Sequence, residues 1–132
     1  MNIIYLSAED ILQIHAFVVS ETGGSHGLRD RAGLLALVAL PEQNVFGKEL
    51  HPTVYEKAAV CIRNIIATHP FVDGNKRTAM TTAGIFLEDN DFSFNAQKGE
   101  IETFALRVIS EKLDIQTIAM WLRKHSQKRS TQ

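Results

Sequence analysis

Apolar residues recur at helical spacing along most of this chain, and the breaks in that spacing mark where helices end. Ile11, Leu12, Ile14, Val18 and Val19 make one stripe. Ser7 followed by Asp10 reads as a weak capping box at its start, with Asp in place of Glu. Glu21 to Gly27 is polar and glycine-rich and reads as a loop. Asp30 is placed to cap a short helix over 31–40 that Pro41 stops. A second irregular stretch, 41–52, carries Gly47 and mixed charges, and loops this long in a small domain are often functional. From Thr53 a third helix is predicted to about Thr68, with Ala58, Cys61, Ile62, Ile65 and Ile66 toward the core. Pro70 disfavours helical geometry at His69 and so ends it. A tight turn leads into a helix over 75–89 with Ala79, Met80, Ala83, Phe86 and Leu87 as its apolar positions. Phe92-Ser-Phe94 alternates as a short strand does, and helices over 99–112 and 114–123 follow. The expected architecture is a single all-α domain of about six helices over 1–125. A basic tail, 126–132, is then expected to be solvated and to fray from the last helix, its cations favoured by the helix dipole.

Composition narrows the class. The 132 residues suit one domain, and 45% apolar with 22% charged residues is close to the soluble globular average. Fourteen Lys and Arg against fifteen Asp and Glu leave a net charge of −1, which argues against direct nucleic-acid binding driven by counterion release. Cys61 is the one cysteine, so an internal disulfide or a Cys-rich zinc site is excluded, and its place on an apolar face reads as core. The longest apolar run, Leu34 to Leu40, falls far short of the ~20 residues that span a bilayer. The first residues lack the basic start and cleavage site of a signal peptide. A cytoplasmic domain without membrane contact is therefore expected.

Chemistry concentrates in His69-Pro-Phe-Val-Asp-Gly-Asn-Lys-Arg-Thr78. One helix delivers His69 at its C-terminal end, and the turn places Gly74 and Asn75 at the N-terminus of the next. Unpaired N–H groups there form an anion site, and Gly74 lets the backbone approach a ligand closely. Asn75 can add an amide, while Lys76 and Arg77 add two cations, a set that suits phosphate. Asp73 is a carboxylate placed to share Mg²⁺ with phosphate oxygens and water. His69, with a near-neutral pKa as a residue type, can take a proton from an incoming hydroxyl. Base, metal ligand and phosphate cradle thus fall within nine residues. The same residues would also serve a plain helix–loop–helix corner with a terminal His and solvated charges. The other histidines, His15 within the first helix, His26 and His51 in loops and His125 near the tail, form no close pair that favours zinc.

The motif resembles the signature of the Fic/Doc family. Lys76 stands where the AMP-transferring Fic branch has a second glycine, and Met80 where it has a final arginine, so the Asn-Lys-Arg form is similar to the Doc, or "death on curing", toxin branch. Gly23-Gly24, Gly27 to Asp30, Gly33-Leu-Leu35, Glu56-Lys57-Ala58, Phe71 and Ala119 to Leu122 fit as well, so the resemblance covers nearly the whole chain. It implies a Fic fold with the motif between two central helices. His69 would be the general base, Phe71 a buried anchor of the loop and Asp73 the Mg²⁺ ligand. Gly74, Asn75, Lys76 and Arg77 would contact the phosphates of ATP. The implied activity is Mg-ATP-dependent phosphoryl transfer to a hydroxyl on elongation factor Tu or a similar translation factor, which stops translation. AMP transfer by the same site, or binding without catalysis, are the alternatives.

Two further expectations follow from the resemblance. The loop from Glu42 to His51 occupies the place of a flap that aligns the target protein, unless it is an ordinary surface connection. Self-restraining Fic proteins carry a (Ser/Thr)-x-x-x-Glu-(Gly/Asn) helix, and no Ser or Thr here has Glu four residues later. A cognate antitoxin with a disordered segment that folds on binding is therefore implied. Its groove is expected between Gly23–Gly27 and the 41–52 loop.

Overall fold

A computed structural model describes residues 2–130 of the chain. Six helices are present among them: α1 (Ala8–Thr22), α2 (Arg31–Val38), α3 (Val54–Thr68), α4 (Asn75–Asp89), α5 (Lys98–Ser110) and α6 (Ile115–Lys124). The mostly helical, single-domain fold matches the expectation. Capping explains most of the starts. Ser7 and Asp10 form a reciprocal box, with the Asp10 N–H donating to Ser7 Oγ at 3.1 Å and the Ser7 N–H to Asp10 Oδ2 at 2.8 Å. Thr53 and Glu56 do the same for α3, and Asp30 and Asp114 accept from the first turns of α2 and α6.

The central helix is α3. Residues Val54, Lys57 to Ile62, Ile65 and Ile66 are all buried, so its apolar surface is far wider than one stripe. It packs mainly against α4 and α6, and also against α2 and α5. Fully buried alanines on the central pair, Ala58 and Ala59 on α3 with Ala79 and Ala83 on α4, let the two backbones sit close. The loop between these two helices, residues 69–74, is thereby held at one end of the most buried pair in the molecule.

Three local differences from the sequence-based expectation appear. The helix after Asp30 ends at Val38, and Pro41 sits in a 3₁₀ turn, Leu40–Glu42. Beyond it, 41–52 folds as a hairpin of β1 (Asn44–Val45) and β2 (Lys48–Glu49). Phe46 and Gly47 at its tip both have positive φ, 51° and 80°, the geometry that a two-residue hairpin turn requires. Over 126–130 the tail is not a frayed helix end, and the rest of the expected tail, 131–132, lies outside the described residues. β4 (Ser126–Lys128) pairs antiparallel with β3 (Phe92–Phe94), and the Arg129 side chain reaches the Glu88 carboxylate and carbonyl. Ser-Gln-Lys carries no apolar alternation, so only the hydrogen bonds of a strand already in place direct it to an extended form.

Lys57 is 1% exposed and holds the hairpin to α3. Its Nζ donates to the Pro41 carbonyl at 2.9 Å and to Glu49 Oε1 at 2.7 Å, and lies 5.5 Å from the centre of the Tyr5 ring. Burial pulls its pKa down, but the Glu49 bond, with the Tyr5 side chain beside it, outweighs this and leaves it above the ordinary lysine value. Cys61 is buried among apolar groups, which push its thiol up to about 12, so it is a core residue and not a thiolate nucleophile.

Candidate active site

His69 ends α3 as its C-cap in the left-handed conformation, φ 49° and ψ 62°, and its side chain is exposed. That geometry is costly for a residue with a Cβ, and here neighbouring groups impose it. Arg29 donates from Nη2 to the Thr68 carbonyl at 2.6 Å and from Nε to the His69 carbonyl at 2.8 Å, satisfying two acceptors at the helix end. The Arg29 and Asp30 N–H groups both donate to the Pro70 carbonyl, and the Val72 N–H donates to the Gly27 carbonyl. Residues 27–30 therefore clasp the motif in a short antiparallel contact centred on Leu28 and Phe71.

Phe71 is 1% exposed and anchors the loop in the core. Its N–H donates to Asn75 Oδ1 at 3.0 Å, and its carbonyl accepts from Asn75 Nδ2 at 2.9 Å. The Asn75 oxygen and one of its two amide N–H groups are thus engaged inside the loop, which leaves its backbone N–H and the second amide N–H for an anion. Gly74 caps α4 at φ 75° with no side-chain cap, so the first N–H groups of α4, from Asn75, Lys76 and Arg77, face outward unsatisfied by any capping side chain. Lys76 is exposed beside them. Arg77 leans toward the end of α1, donating to Thr22 Oγ1 and, at 3.2 Å, to the Gly23 carbonyl.

Asp73 is exposed at the same corner. Its Oδ2 accepts from the Ser25 N–H at 3.0 Å and its Oδ1 from the Gly74 N–H at 2.8 Å. These two donors, with Arg77 nearby, hold its carboxyl below the ordinary carboxylate range. Gly24, at φ 117°, is pressed so close that a Cβ would lie 2.7 Å from Asp73 Oδ2. The 23–27 loop is therefore a packed wall of the site and not a free turn. Among the described residues no group of three or more His, Cys, Asp or Glu side chains could hold a metal. An ionised carboxylate beside an open phosphate cradle fits Mg²⁺, which takes one or two carboxylates and fills its shell with phosphate and water.

All six residues singled out from the sequence (His69, Asp73, Gly74, Asn75, Lys76 and Arg77) lie on this one corner. Sequence reasoning missed His15, Arg29 and Lys57. His15 falls on the buried stripe of α1 between Ile11 and Val18, and a polar residue there was the available signal. Also unforeseen is the position of the large apolar groove. About 910 Å³ in volume, it runs along α4 between α1 and α5, lined by Phe17, Val18, Met80, Ile85 and Leu106, with Lys76 and Arg77 at the α4 N-terminal end. Residues 23–27 and 41–52 contribute nothing to it.

A family model described as Fic/DOC family matches residues 5–87, which include the whole motif. The chain belongs to the Fic/DOC family. Relatives include "Toxin Doc" of Mycolicibacterium smegmatis, 33% identical over 117 residues that cover 87% of this chain and 88% of the relative. "Protein kinase doc" of Escherichia phage P1 is 28% identical over 108 residues, covering 74% of this chain and 85% of the relative. A Fic/DOC chain with Lys76 in the motif and a buried Met80 on α4 has the Asn-Lys-Arg form of the loop and no arginine at that helical position.

Proposed function

We propose that this chain is the toxin of a toxin–antitoxin pair, a cytoplasmic Mg-ATP-dependent phosphotransferase that modifies a hydroxyl on a translation factor and so inhibits translation. The observation that carries the reading is the single corner where the exposed His69 base meets the uncapped α4 N-terminus with Lys76 and Arg77. The names of the relatives, a toxin and a protein kinase, agree with it. In this reading the N–H groups of α4 and the two cations hold the triphosphate, and Asp73 would hold Mg²⁺, which neutralises phosphate charge when bound. The His69 imidazole takes the proton of the target hydroxyl as its oxygen bonds to the γ-phosphorus and ADP departs. Elongation factor Tu is the substrate that the Doc resemblance suggests.

Lys76 bears on the reaction type. A glycine there leaves room for phosphate against the backbone, whereas a long cation fills that space and re-seats the triphosphate for γ-transfer. ATP labelled at the γ- or the α-phosphate, incubated with the protein, Mg²⁺ and a bacterial lysate, separates the cases. Label on a target from γ-ATP alone supports phosphoryl transfer, and label from α-ATP means AMP transfer. No label from either, with ATP and Mg²⁺ present, leaves a binding protein. For the antitoxin segment we propose the apolar groove along α4 as the seat, in place of one between Gly23–Gly27 and the 41–52 loop. The apolar groove along α4 exposes Phe17, Ile85 and Leu106 and ends at Lys76 and Arg77, so an amphipathic helix lying in it reaches the cradle.

A further inference from the structure

His15 is 4% exposed and belongs to none of the roles above, yet it touches the motif loop twice. Its ring lies flat on Phe71, with centroids 3.9 Å apart and planes 5° from parallel, and its Nε2 is 2.8 Å from the Asp73 carbonyl oxygen. A carbonyl only accepts, so Nε2 carries the proton and donates it. We propose that His15 is a positioning residue that locks the Asp73–Gly74 peptide plane, and with it the phosphate and metal site; the inference rests on the phosphotransferase reading.

In a trans peptide the carbonyl and the following N–H point in opposite directions. Holding the Asp73 carbonyl inward against His15 therefore turns the Gly74 N–H outward, where Asp73 Oδ1 receives it at 2.8 Å. This peptide is the one in the loop most free to flip, because its second residue is a glycine, at φ 75°, and glycine tolerates either sign of φ. A flip would aim a carbonyl at the place where phosphate is to sit and would release the Asp73 carboxylate from its N–H partner. The stack on Phe71 fixes the ring that prevents it. Partners of this kind, which hold a ligand residue without touching the metal, are typically worth about 10–100-fold in metal affinity.

Two variants separate the hydrogen bond from the packing. His15→Phe keeps an aromatic ring against Phe71 and loses the donor, while His15→Gln keeps an N–H at similar reach and loses the ring. Affinity for ADP with Mg²⁺, measured by calorimetry, should fall about 10–100-fold in His15→Phe and recover most of the loss in His15→Gln. Thermal stability should rank the other way, with His15→Phe the more stable. In the ligand-free protein, the Gly74 φ read from its amide–Hα couplings should change in His15→Phe and hold its wild-type value in His15→Gln. Affinity that follows stability, or a Gly74 φ unchanged in His15→Phe, overturns the inference. Should the wild type bind no ADP, the phosphotransferase reading falls, and the Gly74 φ still decides whether His15 locks the peptide. If His15→Phe does not fold, a changed Gly74 φ in His15→Gln is enough to overturn it.

Discussion

Replacing Asn75 with alanine distinguishes a clamp from a ligand. The side chain makes two hydrogen bonds to one residue, accepting from the Phe71 N–H at 3.0 Å and donating to its carbonyl at 2.9 Å. Each bond contributes about 0.5–1.5 kcal/mol net, and both Phe71 groups lose their partner together, so about 2 kcal/mol should be lost. At about 2.1 cal/mol/K per residue, the unfolding entropy of 132 residues is about 0.28 kcal/mol/K, which converts that loss to a fall of about 7 °C in Tm. Asn75→Asp sharpens the test. A carboxylate still accepts from the Phe71 N–H and gains about 0.3–1 kcal/mol from the helix N-terminus, but it sets an oxygen against the Phe71 carbonyl. It should therefore remain less stable than the wild type. Calorimetric melting of the three proteins and titration with Mg-ADP would be compared. A wild-type Tm in Asn75→Ala combined with lost nucleotide binding would refute the clamp and make the amide a phosphate ligand.

The remaining predictions concern the base, the buried lysine and acid stability. His69→Ala and His69→Gly should both lose on the order of 10²–10⁴ in transfer rate, and the glycine variant should be the more stable by about 1 kcal/mol because it relieves the left-handed backbone; equal stability in urea melts would show that the backbone there is unstrained. Lys57→Ala removes a buried stem and the donor to Pro41 and Glu49, for a loss of about 2–4 kcal/mol, while Lys57→Met should keep much of the packing and cost less. Matching urea midpoints for the two variants would count against the packing role. Asp73, Asp114 and Glu100 have carboxyls held low by the N–H groups of Ser25, Thr117 and Gln97. A lowered folded-state pKa adds stability above the ordinary value and loses it as pH falls through the folded one, so the urea midpoint should hold above pH ~5 and decline below ~4. A midpoint independent of pH across that range would contradict the assignment.

Local information in the sequence determined much of this protein. Helical period, the Ser7, Asp30, Thr53 and Asp114 caps and the Pro70 stop act over a few residues, so the six helices and the corner between α3 and α4 were legible along the chain. The spacing of the motif likewise places His69 at one helix end and Gly74 at the next, which is why the candidate site could be named residue by residue. Tertiary structure decided what the side chains do there. Asn75 faces back to Phe71, Arg77 turns to the end of α1, and His15 reaches Asp73 across 58 residues. The same holds for Lys57 beneath the hairpin and for the strand at 126–128, which takes its form from 92–94. Periodicity records which face of an element is apolar, but not which neighbour meets it. A buried polar atom must find its partner wherever packing brings one, and that choice belongs to the assembled core.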